Sequence, residues 1–334
     1  MTIRAMILAA GHGTRLGELG TDRPKPMLPV GTRPLVDHAL FLIARAGIQQ
    51  AVINTFTHAP ILEHHVAKGR FGVDVQVSRE TGRILGTGGG IRNVRNFFGH
   101  HTALILNGKI VSTVDLQSAI QQHRMRKASV TLVLRPDPHA ATWGGFTLTD
   151  GRIDTLLGKY PDGSLCPTPA THMFTGISLL EPDFLDFLPN RPHCLVREGF
   201  MPWFLQGRSI FAYVLSADTY WWEHSTPTRY LQGNLNLFLP HVRRFFETEL
   251  PYHLRHSWVI APPHVDVSGD VNIQGPVVFG EHVSVSSGVR LKNVVAWDHT
   301  FITSDLEDAI VTPGGVMHVD LAQRGATVGP PLQK

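Results

Sequence analysis

Residues 3–35 read IRAMILAAGHGTRLGELGTDRPKPMLPVGTRPL, and this stretch decides how the chain begins to fold. Its first six residues are mostly apolar and predict a buried strand. Gly11 and Gly13 follow the strand, and glycine frees the backbone to turn its N–H groups towards an anion. Arg15 and Lys25 bring two cations to the same segment. The stretch therefore predicts a strand followed by a phosphate-binding loop, with a triphosphate as its expected ligand.

Other phosphate-binding motifs fit this loop less well. In a dinucleotide-binding fingerprint a third glycine would occupy the position of Leu16. A Walker A motif fails because no Gly-Lys-Ser/Thr follows. Pro24 and Pro26 prevent a long helix and also fix the backbone around Lys25, which favours a placed role for that charge over a solvated loop charge.

Beyond the loop, short apolar runs alternate with longer amphipathic ones as far as about residue 235. The predicted strands are 3–8, 51–54, 73–77, 103–106, 130–134, 173–180 and 209–215, and the predicted helices are 35–46, 61–68, 116–126 and 226–239. Such alternation predicts an α/β domain with a Rossmann-like, mainly parallel sheet covered by helices.

The pattern changes to a period of six residues towards the C-terminus. One apolar set comprises Val259, Val265, Val271, Val277, Val283, Val289, Val295 and Phe301, and a second set, two places later, comprises Val267, Ile273, Phe279, Val285, Leu291 and Trp297. This period predicts two to three coils of a left-handed parallel β-helix, since antiparallel hairpins, the alternative, do not hold a strict six-residue repeat. We expect three domains: 1–235, a helical linker at 236–256 and the β-helix at 257–325. Such a short β-helix should pack on the first domain or on another subunit.

Composition narrows the classes of partner. A formal net charge of +3 suits anionic small molecules, and the chain has no dense Lys/Arg run of the kind that binds nucleic acid. No apolar run approaches the length of a membrane span, and the N-terminal run is too short for a signal peptide. Two cysteines cannot form a disulfide framework, which fits a cytoplasmic location.

The N-terminal stretch resembles the signature of the sugar-1-phosphate nucleotidyltransferases, the nucleotide-sugar pyrophosphorylases. The resemblance rests on L-A-A-G-x-G-T-R-L followed by P-K-P-M-L-P-V. It continues through LGTGGGIRN (85–93), LNGK (106–109), FTGI (174–177), VREGFMP (196–202) and YWWEHSTPTRYLQGN (220–234). It covers the first 235 residues, and a six-residue repeat also occurs in several branches of that family.

The resemblance implies that a sugar 1-phosphate attacks the α-phosphorus of a nucleoside triphosphate, GTP or UTP being favoured, with a mannose-like sugar. Arg15 would hold the leaving phosphates and Lys25 would neutralise charge at the α-phosphate. The implied nucleotide-binding residues are Leu8, Ala10, Gly11, Gly13, Thr14, Gly86, Thr87, Gly88 and Asn107. The implied sugar-phosphate-binding residues are Trp143, Gly144, Lys159, Thr175, Gly176 and Glu198. Two alternatives stay open: a glycine-rich helix start without a ligand at 86–89, and a surface charge at Lys159.

Lys109 departs from the family pattern. In the family this position and the one at Glu223 are aspartates that hold catalytic Mg²⁺. Three explanations stay open. In the first, Lys109 pairs with Glu223, and the protein is a regulatory one that binds a nucleotide sugar without turnover. In the second, the ammonium group of Lys109 replaces the metal at the α-phosphate. In the third, Mg²⁺ is held by Glu223, the triphosphate and water. We expect an ion pair between Lys109 and Glu223, and a homo-oligomer or a hetero-complex formed through the β-helix. Asp115 is better explained as a helix N-cap than as a replacement ligand.

Overall fold

The computed structural model describes residues 2–143, 145–246, 254–256, 258–262, 265 and 270–321. The chain packs as two compact units. Of the described residues, those up to His12 together with Ala39–Trp221 form the first unit, and Gly13–His38 together with those from Trp222 onward form the second. None of the helices in the described chain combines the length and apolar character that a membrane span requires.

The elements of both units follow in chain order. The strands are β1 (Ile3–Leu8), β2 (Pro29–Val30), β3 (Arg33–Pro34), β4 (Gln50–Thr55), β5 (Asp74–Arg79), β6 (Thr102–Asn107), β7 (Ile110–Ser112), β8 (Val130–Pro136), β9 (Phe146–Thr149), β10 (Arg152–Leu156), β11 (His172–Leu180), β12 (Phe211–Val214), β13 (Trp221–Glu223), β14 (Leu254–His256), β15 (Val259–Ile260), β16 (Asn272–Ile273), β17 (Val277–Phe279), β18 (Ser284–Val285), β19 (Arg290–Ala296), β20 (Phe301–Ile302), β21 (Leu306–Thr312) and β22 (Gly315–His318). The α-helices are α1 (Leu35–Arg45), α2 (Ala59–Lys68), α3 (Gly86–Asn93), α4 (Arg95–Phe98), α5 (Leu116–Met125), α6 (Pro182–Phe187), α7 (Met201–Leu205), α8 (Pro227–Leu235) and α9 (Pro240–Phe246). Short 3₁₀ turns cover Thr14–Gly20, Lys25–Met27, Ala140–Trp143 and Asn236–Phe238, and a π turn covers Leu195–Phe200.

The main sheet of the first unit has the order β5-β4-β1-β6-β11-β8-β12-β10-β9. Strands β1, β4, β5 and β6 are mutually parallel, whereas β11 runs antiparallel to both of its neighbours, β6 and β8. The predicted α/β class is therefore confirmed. In this register Leu8, the last residue of β1, lies between Asn54 of β4 and Asn107 of β6. The carboxyl ends of the parallel strands thus meet at one edge, where ligands bind in sheets of this kind.

The C-terminal strands of the second unit form parallel pairs around their own apolar core. Val259 pairs with Val277, Val277 with Val294, and Val294 with Ala309. All four side chains are fully buried. Successive strands therefore stack apolar residues one above another.

The six-residue period ends at Val289 in the first set and at Leu291 in the second, and the prediction that Phe301 lies inside is wrong. Between β16 and β17 three residues intervene, but the equivalent turn in β19 has two, Lys292 and Asn293. Asn293 adopts the left-handed conformation (φ 55°), and its Nδ2 donates to Asp308 Oδ1 at 2.7 Å. A shift of one residue moves each later side chain to the other face of its strand. Ile302 consequently lies in the core while Phe301 is 74% exposed.

The segment 236–256, which the sequence analysis expects to be a helical linker, contains both a helix and a strand. Helix α9 spans Pro240–Phe246, but Leu254–His256, which the linker was expected to include, form the strand β14. This strand pairs antiparallel with β15, so the backbone hydrogen bonds of the segment go to a neighbouring strand instead of a helix.

In the second unit, the segment Gly13–His38 ends in a hairpin and the start of α1. His38 Nε2 lies 3.0 Å from Val30 O, and its ring meets Phe246 edge-on with 5.3 Å between the ring centroids. Burial lowers the pKa of His38 from 6.5 to about 4. The native protein therefore keeps this imidazole neutral at pH values where the unfolded chain protonates it.

We predict that replacing Ile302 by Asp lowers the free energy of unfolding by several kcal/mol, because a carboxylate would be buried without a partner. The matched variant Phe301→Asp places the same charge on an exposed position and should change stability by no more than about 0.5 kcal/mol. Urea denaturation monitored by circular dichroism measures both. Equal losses in the two variants, or a larger loss in Phe301→Asp, would contradict the observed register.

We also predict an acid-sensitive contribution from His38. Between pH 6.5 and 4 the unfolded chain binds a proton that the native state does not, so stability falls as the pH falls through this window. The effect amounts to about 3 kcal/mol at its low end. Replacement of His38 by Gln should remove this part of the pH dependence, whereas replacement of the exposed His64 by Gln should leave it in place. If the free energy of unfolding of native and His38→Gln protein changed with pH in parallel, the acid sensitivity could not be assigned to His38.

Candidate functional site

The residues after β1 begin the predicted phosphate loop. Ala10 is buried, and Gly11 is exposed with open space where a Cβ would project. The Ala9 amide does not point into that space, because it donates to Asn54 Oδ1 at 2.7 Å. The first unit therefore presents an open backbone at Gly11, next to a segment that is tied to the neighbouring strand.

Asn54 continues this chain of hydrogen bonds to a buried carboxylate. Its Nδ2 donates to Glu80 Oε1 at 2.8 Å, and the Leu85 amide donates to Glu80 Oε2 at 2.8 Å. Asn54 and Glu80 are 3% and 4% exposed. Together they connect the loop after β1 with the glycine-rich segment that starts α3. The sequence analysis did not single out either residue; Asn54, a polar residue that ends an otherwise apolar run, was the available signal.

The glycine-rich segment Gly86–Gly90 packs against residues 191–195 of the same unit. The amides of Gly88 and Gly89 donate to His193 O at 3.0 and 3.4 Å. A Cβ on Gly88 would lie 2.2 Å from His193 Nε2, so only glycine fits there. These glycines therefore admit part of the protein itself at the helix start. Thr87 remains exposed, although its Oγ1 accepts a hydrogen bond from the Leu195 amide at 2.9 Å.

The structure brings Asn107 and Gly176 together. Gly176 adopts a positive φ of 85° within a bulge of β11, and a Cβ at this position would lie 2.3 Å from Asn107 Nδ2. Thr175 is buried, with its Oγ1 donating to Val133 O at 2.7 Å and its carbonyl accepting from Trp221 Nε1 at 3.0 Å. The Thr175 hydroxyl is thus committed to the sheet, and the proposed sugar contact at this bulge would involve its backbone.

Lys109 lies where the sequence predicts, just beyond the carboxyl end of β6. The amide of the preceding residue, Gly108, donates to Leu8 O at 2.9 Å, which ties this turn to the end of β1. Lys109 itself is half-buried. Glu223 belongs to the second unit, where its carbonyl accepts from Arg229 Nε at 2.8 Å. The ion pair between Lys109 and Glu223 stays a prediction.

The remaining loop residues lie together in the second unit. Gly13 has a φ of 73° and begins the turn Thr14–Gly20. A Cβ on Gly13 would lie 3.9 Å from the Cβ of Lys25, so the turn and Lys25 are neighbours. Thr14 and Arg15 are exposed, and Arg15 makes no ion pair with any residue that the structure describes. Its guanidinium group is available to an anion.

The remaining residues implied in sugar-phosphate binding, Glu198, Lys159, Trp143 and Gly144, differ in exposure and in their partners. Glu198 Oε2 lies 2.6 Å from Arg191 Nη2, and the Arg191 guanidinium lowers the pKa of the Glu198 carboxyl. Lys159 is exposed on a tight turn and makes no ion pair within the described chain, so both interpretations of this lysine remain open. Trp143 ends a 3₁₀ turn, and Gly144 lies outside the described residues.

Asp115 caps a helix, as expected. Its carboxylate accepts from the amide and the hydroxyl of Ser118 at 3.1 and 2.6 Å, and the hydroxyl bond lowers the pKa of Asp115. This arrangement explains the residue without a metal. Within the part of the chain that the structure describes, no group of three or more His, Cys, Asp or Glu side chains is placed to hold a metal ion.

We predict that Gly88→Ala destabilises the protein by roughly 1–3 kcal/mol, because the added methyl group forces His193 and the start of α3 apart. Gly11→Ala is the matched control, since its Cβ meets open space and it should alter the melting temperature by less than about 2 °C. Thermal denaturation compares them. A Gly88→Ala protein as stable as the native one would show that the contact with His193 yields easily.

Comparison with known proteins agrees with this geometry. A family model described as nucleotidyl transferase matches residues 4–224. A mannose-1-phosphate guanylyltransferase of Mycobacterium tuberculosis is 30% identical over 301 residues, which cover 89% of this chain and 80% of that protein. A UTP–glucose-1-phosphate uridylyltransferase of Synechocystis is 27% identical, covering 86% of this chain and 76% of its own length.

A solved structure shows the same fold. HddC from Yersinia pseudotuberculosis, complexed with GMP-PN, aligns with a TM-score of 0.57 and 18% identity over 69% of this chain and 97% of its own. The family match covers both the glycine loop after β1 and the edge that carries Lys109. The chain therefore belongs to the nucleotidyl transferase family.

Proposed function

We propose that this protein transfers a nucleoside monophosphate, from GTP or UTP, to a mannose-like sugar 1-phosphate. A phosphate oxygen of the sugar 1-phosphate attacks the α-phosphorus, the bond to the bridging oxygen of the β-phosphate breaks, and pyrophosphate leaves. The guanylyl- and uridylyltransferase names of its relatives support this choice of substrates. The observation that carries the proposal is the glycine turn with an exposed Arg15 and a neighbouring Lys25, within the region that the family model matches.

Each cation has a defined task in this reaction. Phosphoryl transfer depends on positioning and on neutralising charge at the phosphates. Arg15 would bind the leaving pyrophosphate, since a guanidinium group can contact two phosphate oxygens at once. Lys25 would neutralise charge at the α-phosphate. The proposed nucleotide contacts are Leu8, Ala10, Gly11, Gly13, Thr14, Gly86, Thr87, Gly88 and Asn107, and the proposed sugar contacts are Trp143, Gly144, Lys159, Thr175, Gly176 and Glu198.

The divalent metal typical of this family does not fit the residues present. The edge position carries the ammonium group of Lys109, and a divalent cation within about 4 Å of it would be strongly repelled. Within the described chain, no group of three or more His, Cys, Asp or Glu side chains is placed to hold a metal ion. We therefore assign the charge at this position to Lys109 itself and derive no step through Mg²⁺.

A second candidate function follows from the same residue. If Lys109 pairs with Glu223 in the absence of substrate, the protein binds a nucleotide sugar without turnover and regulates a partner enzyme. The replacement of a carboxylate by a cation, a change of two charges at one site, is the observation that favours this alternative.

The C-terminal segment has its own proposed role. The parallel strand pairs and their shared core support a short left-handed β-helix, for which we retain the proposed limits 257–325, after a domain at 1–235 and a linker at 236–256. We also propose that the protein associates with further copies or with another protein through this segment, and that its location is cytoplasmic.

We predict that the native protein releases pyrophosphate from GTP or UTP with a sugar 1-phosphate, and does so without added Mg²⁺. Lys109→Asp should lower this metal-independent rate by about 100-fold, because the charge that it reverses faces the phosphates. A coupled pyrophosphate assay over a panel of nucleotides and sugars, with EDTA or Mg²⁺, measures both. Lys68→Asp, an equal charge reversal on exposed α2, is the control.

Three results would contradict the proposed metal-independent transfer. Ligand binding without release in the native protein, together with turnover gained in Lys109→Asp, would establish the regulatory alternative. Native turnover that requires Mg²⁺ would show that the metal enters in spite of Lys109. Calorimetry that detects no heat with any nucleotide or nucleotide sugar would contradict both candidate functions.

A further inference from the structure

The turn that carries Lys25 makes few hydrogen bonds of its own. Within Arg23–Gly31, the Met27 amide donates to Pro24 O at 2.8 Å and the Leu28 amide to Lys25 O at 3.0 Å. The prolines on either side of Lys25 have no N–H to contribute. Two further backbone groups of the segment, Pro29 O and the Gly31 amide, bond to side chains elsewhere in the second unit.

Helix α8 supplies two of those partners from one face. Tyr230 Oη donates to Pro29 O at 2.5 Å, and Asn234 Oδ1 accepts from the Gly31 amide at 2.9 Å. The two side chains are four residues apart and fully buried, so they lie one above the other on the helix. Asn234 Nδ2 also donates to Tyr230 O at 3.1 Å, which fixes the orientation of its amide.

Chemistry fixes the direction of the bonds at Tyr230. Trp297 Nε1 lies 2.9 Å from Tyr230 Oη, and an indole N–H can only donate. Burial raises the pKa of Tyr230, so its hydroxyl keeps the proton. That single proton is therefore directed to Pro29 O, and the order Trp297 to Tyr230 to Pro29 runs in one direction only.

Trp297 contacts the same segment a second time. The guanidinium carbon of Arg23 lies 4.3 Å from the centroid of the Trp297 ring, a cation–π contact. Trp297 is 3% exposed and lies outside the core of the C-terminal strands because of the register shift at Asn293. It thus holds Arg23 by its ring face and Pro29 through Tyr230, with Lys25 between them.

We propose that Tyr230 and Trp297 are positioning residues for Lys25, so that the C-terminal strands take part in catalysis by bracing the proline-flanked turn. Trp297 lies well beyond residue 224, where the family match ends, so nothing in that match assigns it a role. The inference rests on the proposed function. A displacement of about 1 Å in a catalytic group can cost about 100-fold in rate, and a loosened brace should cost part of that.

The test combines kinetics with a double-mutant cycle. Tyr230→Phe and Trp297→Phe keep an aromatic ring in place and remove the hydrogen bonds. Each should lower kcat for pyrophosphate release about tenfold, with KM for the nucleotide within twofold of native. In a Lys25→Met background, Tyr230→Phe should cause no further loss, because its effect passes through Lys25. Trp258→Phe, at a half-exposed tryptophan that packs on Phe238, should leave kcat unchanged.

A second measurement needs no catalysis. Hydrogen exchange at the amides of Met27, Leu28 and Gly31 should accelerate at least tenfold in Tyr230→Phe and remain at the native rate in Trp258→Phe. Unchanged exchange, or equal losses of kcat with and without Lys25, would overturn the inference. If native protein releases no pyrophosphate, the proposed function and the catalytic part of the inference fail together, and exchange still decides whether the C-terminal strands hold the turn.

Discussion

The carboxylate of Glu80 is the buried charge around which the edge of the first unit is organised. It accepts from the Asn54 amide and from the Leu85 backbone, while Asn54 accepts from Ala9. A buried carboxylate that lost either donor would leave an unsatisfied charge, which costs more than the bond itself contributes. The loop after β1 and the start of α3 are consequently fixed with respect to each other. A site that binds a nucleotide at this edge gains a rigid backbone without an entropy cost at the moment of binding.

Lys109 stands at the same edge and changes the electrostatics of the site. Ligands of sheets of this kind bind outside the carboxyl ends of the strands, and Lys109 lies just beyond the end of β6. Within the second unit, the glycine turn carries two further cations, Arg15 and Lys25. In the proposed function these three side chains supply the positive charge that phosphoryl transfer requires at the phosphates.

The sequence predicts the local elements of this protein well and its long-range contacts poorly. Apolar periodicity located β1 to its last residue and the four predicted helices to within about four residues, since that pattern depends only on neighbours along the chain. The sequence analysis did not predict the roles of Asn54, Glu80 and His193, because these residues act through contacts with residues distant in the sequence. Phe301 was misplaced because one turn is a single residue shorter, an event that a left-handed Asn293 permits and a repeat count does not reveal.

The register shift also explains why a single tryptophan can connect the two ends of the chain. In an unbroken repeat Trp297 would point into the core of the C-terminal strands, and its N–H would have no partner there. Moved to the other face, it donates to Tyr230 and stacks with Arg23, while Ala296 takes the small core position. The irregularity in the repeat is thus what couples the C-terminal strands to the turn that carries Lys25. A fragment that ended with the family match, at residue 224, would keep Lys25 and lose both Tyr230 and Trp297, and with them the proposed brace of the turn.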